Sequence, residues 1–303
     1  MATDDWTAPT TRATNDVITA AIWNSDLVND LTALFNGLVG DASADALMLH
    51  RHKSGTLAAM PAVGNAGRRY YATDLGAEFL DDGTDWTIQG VNKRKAQYFF
   101  EEFATDSDTS RGLGWATDIS GTGAVVDQAG HNKSVIVLAT DASLNAFVGI
   151  LNKGFGDHSY RIIAAGVPAI YSARMKTDAA TQGYWYCGLT NTRFSNGITE
   201  TADGVYFRRV DGAGAGTWES VTRAGGVETA NGAVVTGDTA YHDFEIRILS
   251  TTSIGFYIDG VLRNTHATNI PSNPLLLSFN VVAKSAAARG LLPDFVEFTA
   301  KRE

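Results

Sequence analysis

Cysteine is nearly absent: one residue, Cys187, in a chain of 303, so no disulfide can form within it. Cys187 sits in the apolar run Tyr184-Trp185-Tyr186-Cys187-Gly188-Leu189 and reads as a small buried hydrophobe, not a nucleophile. Basic clusters are missing too. The longest is Lys93-Arg94-Lys95, and the net charge is −9. A surface that neutralises phosphates needs grouped Lys and Arg, so nucleic acid and anionic membrane surfaces are excluded as partners. No uncharged run approaches the roughly 20 apolar residues of a membrane span. The first residues, Met1 to Trp6, are acidic and unlike a signal peptide. The chain is expected to be made in a cytoplasm and to end up as part of a larger assembly. Proline is scarce at 6 residues while glycine is frequent at 31, and the many short apolar runs between turn residues point to an antiparallel β protein.

Helical patterning is confined to the start. Residues 1–18 are polar and Thr-rich and read as an extended arm. A helix is predicted over 19–36, with Thr19 as N-cap, Ile18 and Trp23 as a hydrophobic staple and Gly37 as the stop. Asn24, Leu27, Leu31 and Leu34 recur on one face as a short heptad stripe, with Asn24 at a core position that can set register and oligomer state. A stripe this short barely holds alone in water. It needs a partner, either its own chain or a short oligomeric bundle.

Residues 41–60 read as a linker containing His50-Arg51-His52. Three short strands follow at 69–72, 77–80 and 85–88, separated by Thr73-Asp74-Leu75-Gly76 and Asp81-Asp82-Gly83. Such a meander is too small to stand without something to pack against. Both features lead to the expectation of a homotrimer through residues 1–90. From residue 91 onward the strand signal is continuous. Phe244, Ile246 and Ile248 alternate with Asp243, Glu245 and Arg247; Ile254, Phe256 and Ile258 repeat the pattern before the Asp259-Gly260 turn into Val261-Leu262-Arg263. Further strands are predicted at 97–103, 135–139, 160–164, 170–175, 184–189, 205–210, 275–279 and 295–298. That makes about ten strands without helical crossovers, hence an antiparallel sandwich. The organisation read from the sequence is a 1–40 arm and helix, a 41–93 linker and meander, and a 94–303 β-sandwich. The fold class is mainly β: a C-terminal antiparallel β-sandwich preceded by an N-terminal helix and a small β-meander.

Two stretches resemble known families. Residues 17–24 (Val-Ile-Thr-Ala-Ala-Ile-Trp-Asn), His50-Arg51-His52-Lys53-Ser54-Gly55-Thr56, Pro61-Ala62-Val63-Gly64, Gly67-Arg68-Arg69-Tyr70-Tyr71-Ala72-Thr73-Asp74 and Asp82-Gly83-Thr84-Asp85-Trp86 resemble, in that order, a module of bacteriophage tail-fibre and head-fibre proteins. Tyr241-His242-Asp243-Phe244-Glu245-Ile246-Arg247-Ile248 and Gly255-Phe256-Tyr257-Ile258-Asp259-Gly260-Val261-Leu262 resemble the late hairpin of concanavalin-like (laminin G-like) jelly rolls. The resemblance implies a structural and adhesive virion protein, a trimeric fibre or spike subunit. Its N-terminus would meet other virion proteins and its sandwich a host glycan or receptor. The alternatives are a head or neck decoration protein without receptor binding, and a polysaccharide-degrading enzyme.

The candidate chemistry is sparse. Glycoside hydrolases flank the scissile bond with paired carboxylates. Asp243 and Glu245 share a face but sit opposite the apolar face, which points them to solvent; Asp294 and Glu297 differ in parity, as do Glu101 and Glu102. No third carboxylate joins the first pair, so the expectation is that the chain is not an enzyme. Trp185, Tyr206 and Trp218 are candidate stacking platforms for sugar, with burial in the sandwich core as the competing reading. His50 and His52 alternate, so three chains around an axis would present six imidazoles, two from each, enough for a transition metal; otherwise they are solvated linker residues and no cofactor is expected. His131, His158, His242 and His266 show no ligand spacing and read as surface or capping residues. Asp81-Asp82-Gly83-Thr84-Asp85 starts like a calcium loop but lacks the downstream Glu, which favours a hairpin turn. Gly212 to Gly216 reads as a surface loop, since it has no Lys and opens no helix.

Overall fold

The structure, a computed structural model, describes residues 53–92, 96–101, 103, 115–127, 136–152, 168–179, 181–191, 202–210 and 216–301. The expected helix with Asn24, Leu27, Leu31 and Leu34 lies outside the described residues, as do His50, His52, His131, His158, the expected strand at 160–164 and most of the glycine-rich loop. Contacts divide the chain into two compact units. Pro61–Tyr71 and Glu78–Gln89 fall in the smaller, and Gly55–Met60, Ala72–Ala77 and Gly90–Glu303 in the larger.

A four-stranded sheet runs in chain order through β1 (Lys53–Gly55), β2 (Arg69–Ala72), β3 (Ala77–Asp81) and β4 (Trp86–Val91). The sequence reading anticipates β2 to β4. β1 is an addition, since three polar residues carry no alternation to read. β3 alternates strictly, burying Ala77, Phe79 and Asp81. A carboxylate at a buried position needs compensation. Arg68 Nε donates to Asp81 at 3.1 Å, and the backbone N–H groups of Asn65 and Gly83 donate at 3.1 and 2.7 Å. Burial by itself would push the Asp81 carboxyl up, yet Arg68 and these N–H groups hold it below its ordinary value. Asp82 Oδ1 accepts from the N–H groups of Thr84 and Asp85 at 2.8 and 2.7 Å, so the acidic run is a side-chain-capped turn.

The sandwich comprises two antiparallel sheets. Its strands are β5 (Ala96–Glu101), β6 (Trp115–Ile119), β7 (Ala124–Asp127), β8 (Ile136–Ala139), β9 (Phe147–Asn152), β10 (Ala169–Thr177), β11 (Gly183–Thr190), β12 (Gly204–Val210), β13 (Thr217–Ala224), β14 (Val227–Thr236), β15 (His242–Ser250), β16 (Ser253–Ile258), β17 (Val261–His266), β18 (Leu276–Ala283) and β19 (Gly290–Lys301). One sheet has eight strands in the order β17-β16-β15-β10-β19-β8-β7, with β5 also on β19; the other has seven in the order β14-β13-β12-β11-β18-β9-β6. β7 with β8, β11 through β14, and β15 through β17 are joined to their sheet neighbours in chain order, and the other connections pass from one sheet to the other, the jelly-roll plan. β19 is long enough to hold two neighbours on one side: Gly290 and Leu291 pair with β8, and Val296 to Lys301 with β5. The first and last strands of the sandwich therefore pair.

The sheets meet over one apolar core. Phe207 and Trp218 of the seven-stranded sheet pack on Phe244 of the other at ring distances of 5.1 and 4.6 Å, and Phe256 meets Phe207 at 5.3 Å. Phe244, Ile246, Ile248, Ile254, Phe256 and Ile258 are all buried in that core, as their alternation predicts. Cys187 lies there fully buried, its thiol pushed well up by desolvation. Gly188, at φ +148°, is where glycine is required: a Cβ would come within 2.6 Å of Tyr206 Cα and of the Val205 carbonyl oxygen. The strands that escape the sequence reading include β13 and β14; on β13, Ser220 and Thr222 turn their hydroxyls to His266 of the partner sheet. Polar groups there hide the two-residue period.

Candidate functional site

The aromatic platforms expected at Trp185, Tyr206 and Trp218 are corrected by the structure. Trp185 and Trp218 point into the core and are 0% and 2% exposed. Trp185 donates its indole N–H to the Gly290 carbonyl at 2.9 Å and carries Arg209 over its ring at 4.7 Å. Tyr206 faces the other way but is equally buried, in a second apolar cluster with Phe147, Tyr186, Val221 and Val282. None has a free ring face for a sugar.

The open aromatics lie elsewhere. Along β5, Tyr98 and Phe100 are 45% and 42% exposed on the face of the eight-stranded sheet that points away from the core. Phe100 sits 6.2 Å from Phe295. Antiparallel register builds one row across five strands: Tyr257, Glu245, Ser172, Glu297 and Phe100 are successive cross-strand partners. Tyr98 lies beside it, opposite Thr299. Strands are spaced by about 4.8 Å, so Glu245 and Glu297 stand two strands apart with Ser172 between them, their Cα atoms about 9–10 Å from each other.

The two carboxylates differ in environment. Glu245 accepts from Arg247 Nε and from Ser172 Oγ, the latter at 3.4 Å; Arg247 in turn lies over the Tyr257 ring at 4.1 Å. Glu297 accepts from the Tyr98 phenol. Burial pushes the Glu297 carboxyl up, the Tyr98 hydrogen bond pulls it down and the charge of Glu245 pushes it up again, for a net rise. Tyr98 is driven to about 12, by desolvation first and then by the charge of Glu297 and the hydrogen bond to it. Thr299, two residues from Glu297 on the same face, is fully buried, and its hydroxyl has no hydrogen-bond partner. Glu297 and Tyr98 are both shifted upward and share one face, which makes this row the candidate site.

Of the carboxylates singled out in the sequence, Asp243 is exposed, while Glu245 is part of the row with its side chain 15% exposed. Glu297 joins it, which the parity comparison with Asp294 missed. The alternation Phe295-Val296-Glu297-Phe298 does put Glu297 on the outer face, but only strand pairing brings it beside Glu245. His242 caps a loop, with its ring nitrogens 2.7 Å from Asp259 and 3.0 Å from Asp238. His266 corrects the surface reading: it is 1% exposed and bonded to Ser220 and Thr222. No group of three His, Cys, Asp or Glu side chains that could hold a metal occurs among the described residues.

No known protein family matches the sequence, and no curated protein matches it. Solved structures do share the fold. They include a Bacillus licheniformis β-glucanase (17% identity, TM-score 0.45, covering 66% of this chain and 97% of that one). Peanut lectin matches at 12% identity and TM-score 0.47, covering 68% and 97%, and a Rhodothermus marinus laminarinase at 10% and 0.47, covering 69% and 99%. These likenesses are of fold alone. The expectation that the chain is not an enzyme does not stand, because it rested on an isolated Asp243–Glu245 pair and the strand register brings Glu297 into the same row as Glu245. The chain folds as an antiparallel, concanavalin-like β-sandwich preceded by a small four-stranded sheet.

Proposed function

We propose that the sandwich binds carbohydrate on the outer face of its eight-stranded sheet, and that the chain is a structural and adhesive bacteriophage virion subunit. The observation that carries the binding reading is the row with exposed aromatics beside paired carboxylates. A sugar ring has an apolar face that stacks on Tyr98 and Phe100, and vicinal hydroxyls that donate to Glu297 and Glu245. The virion reading rests on the ordered resemblance over residues 14–90, which supports attachment to the particle through the N-terminal region and a homotrimer. Three copies give avidity to a site that is weak by itself.

The test of binding is full-length protein on host cells and on immobilised host glycans, beside Tyr98→Ala and Phe100→Ala. Loss of one stacking ring should weaken binding by about tenfold. Unchanged binding in both variants rules this face out. Light scattering should give three times 32.3 kDa, and a monodisperse monomer removes the trimer. Antibody labelling of intact particles should decorate fibre tips; label at the head or neck together with absent cell binding replaces the adhesin by a decoration protein.

A further inference from the structure

We propose that the row selects a cationic amino sugar, with its ammonium group held between Glu297 and Glu245 and its ring stacked on Tyr98. This rests on the carbohydrate-binding reading above. The charges around the row are unequally matched. Glu245 has Arg247, and Arg174 has Asp294 at 3.6 Å. Glu297 is set between a neutral phenol and a second carboxylate. Its ionised form is therefore the ill-favoured one, and a cation between the two carboxylates would relieve both burial and repulsion. An anionic sugar would meet both negative groups. A neutral sugar would satisfy hydrogen bonds but leave the charge unmatched.

Thr299 is the second, independent observation. Its Oγ1 is buried without a partner, on the same face as Glu297 and directly opposite Tyr98. Buried hydroxyls ordinarily have a partner, so this one is suited to a ligand amine or hydroxyl. An ammonium carries three donors, enough for Glu297, Glu245 and Thr299 together. The proton balance follows. Where Glu297 carries a proton in the free protein, the arriving ammonium favours its ionised form and that proton passes to solvent. Binding then releases up to one proton per site and weakens as the solution becomes acidic enough to protonate Glu297.

The experiment is titration calorimetry of the full-length protein with a glucosamine trimer and with its N-acetylated counterpart, in two buffers of different ionisation enthalpy. The free-amine trimer should bind about tenfold more tightly, as expected for one added charge-assisted contact, with net proton release. Glu297→Gln should make the two trimers equal and abolish the proton release; Thr299→Val should weaken only the free-amine trimer. Equal affinities in the wild-type protein, or a preference that survives Glu297→Gln, overturn the inference while leaving carbohydrate binding intact. Absence of binding by either trimer overturns this inference, and if host glycans also fail to bind, the carbohydrate reading falls with it. If Glu297→Gln does not fold, the proton release of the wild-type protein and the Thr299→Val comparison decide the matter.

Discussion

His266 is buried where the edges of the two sheets meet. On β13, Ser220 Oγ lies 2.9 Å from its Nε2 and Thr222 Oγ1 lies 2.9 Å from its Nδ1; Asn231 on β14 lies 3.2 Å from Nε2, and the Phe256 ring is 4.8 Å away. These partners are all neutral, so nothing in the network offsets a charge on the imidazole. Burial lowers its pKa from 6.5 to about 4. The unfolded chain therefore binds the proton more readily than the folded one. The stabilisation is fully present above pH 6.5 and is lost as pH falls toward about 4, in total about 3 kcal/mol. Thermal unfolding across that range should show the loss, and His266→Gln, which keeps a hydrogen-bonding side chain but cannot titrate, should flatten the slope. A slope equal to that of the wild-type protein would place the acid sensitivity on other groups.

At the level of elements, the four-stranded sheet depends on one buried ion pair. Arg68 and Asp81 have side chains 7% and 0% exposed, and Arg68 also covers the Trp86 ring at 5.3 Å. Trp86 donates to the Pro61 carbonyl at 2.9 Å and meets Tyr70 edge-on at 6.1 Å, so the pair, the ring and the chain entering β2 are connected. Removing one partner leaves the other buried and uncompensated. Asp81→Ala or Arg68→Ala alone should each destabilise this sheet by about 3–5 kcal/mol, and the double variant should cost much less than the sum. A double-mutant cycle followed by hydrogen exchange in β2 and β3 measures the coupling; additive losses would mean that the two residues act independently. The carboxyl of Asp81, held low, also makes this sheet lose stability as pH falls through its depressed value.

For the whole molecule, the pairing of β5 with β19 is the informative feature. It joins the first and last strands of the sandwich, so among the described residues its two sheets take no strand from before residue 96. A domain of about 200 residues buries enough surface to sustain its own core. Residues 94–303 should therefore unfold in one cooperative transition and keep the glycan affinity of a single site, while losing avidity. A fragment that starts at residue 102, without β5, should lose both Tyr98 and Phe100 and expose the edge of β19, and it is expected to aggregate. If the 94–303 fragment shows no transition by calorimetry, the earlier residues complete its core.

The sequence by itself determined the class of fold and much of its register. Period-two alternation in 244–248 and 254–258 identifies the buried face because a strand turns successive side chains to opposite sides. Asp259-Gly260 identifies the hairpin because few residues tolerate φ > 0 there; Asp259 and Gly260 take φ 53° and 72°. β13 and the edge strand β14 were hidden because His266 and its partners put polar groups at core positions. The sequence singled out Glu245, but the assembly of the site depended on tertiary structure. Tyr98, Ser172, Glu245 and Glu297 are separated by about 200 residues of chain and come from four strands whose neighbours are set by the sandwich topology. Local pattern tells which way a side chain points, but not which strand lies beside it. The same limit explains Trp185, Tyr206 and Trp218: composition marks an aromatic as able to stack on sugar, and only packing decides whether its face is left open.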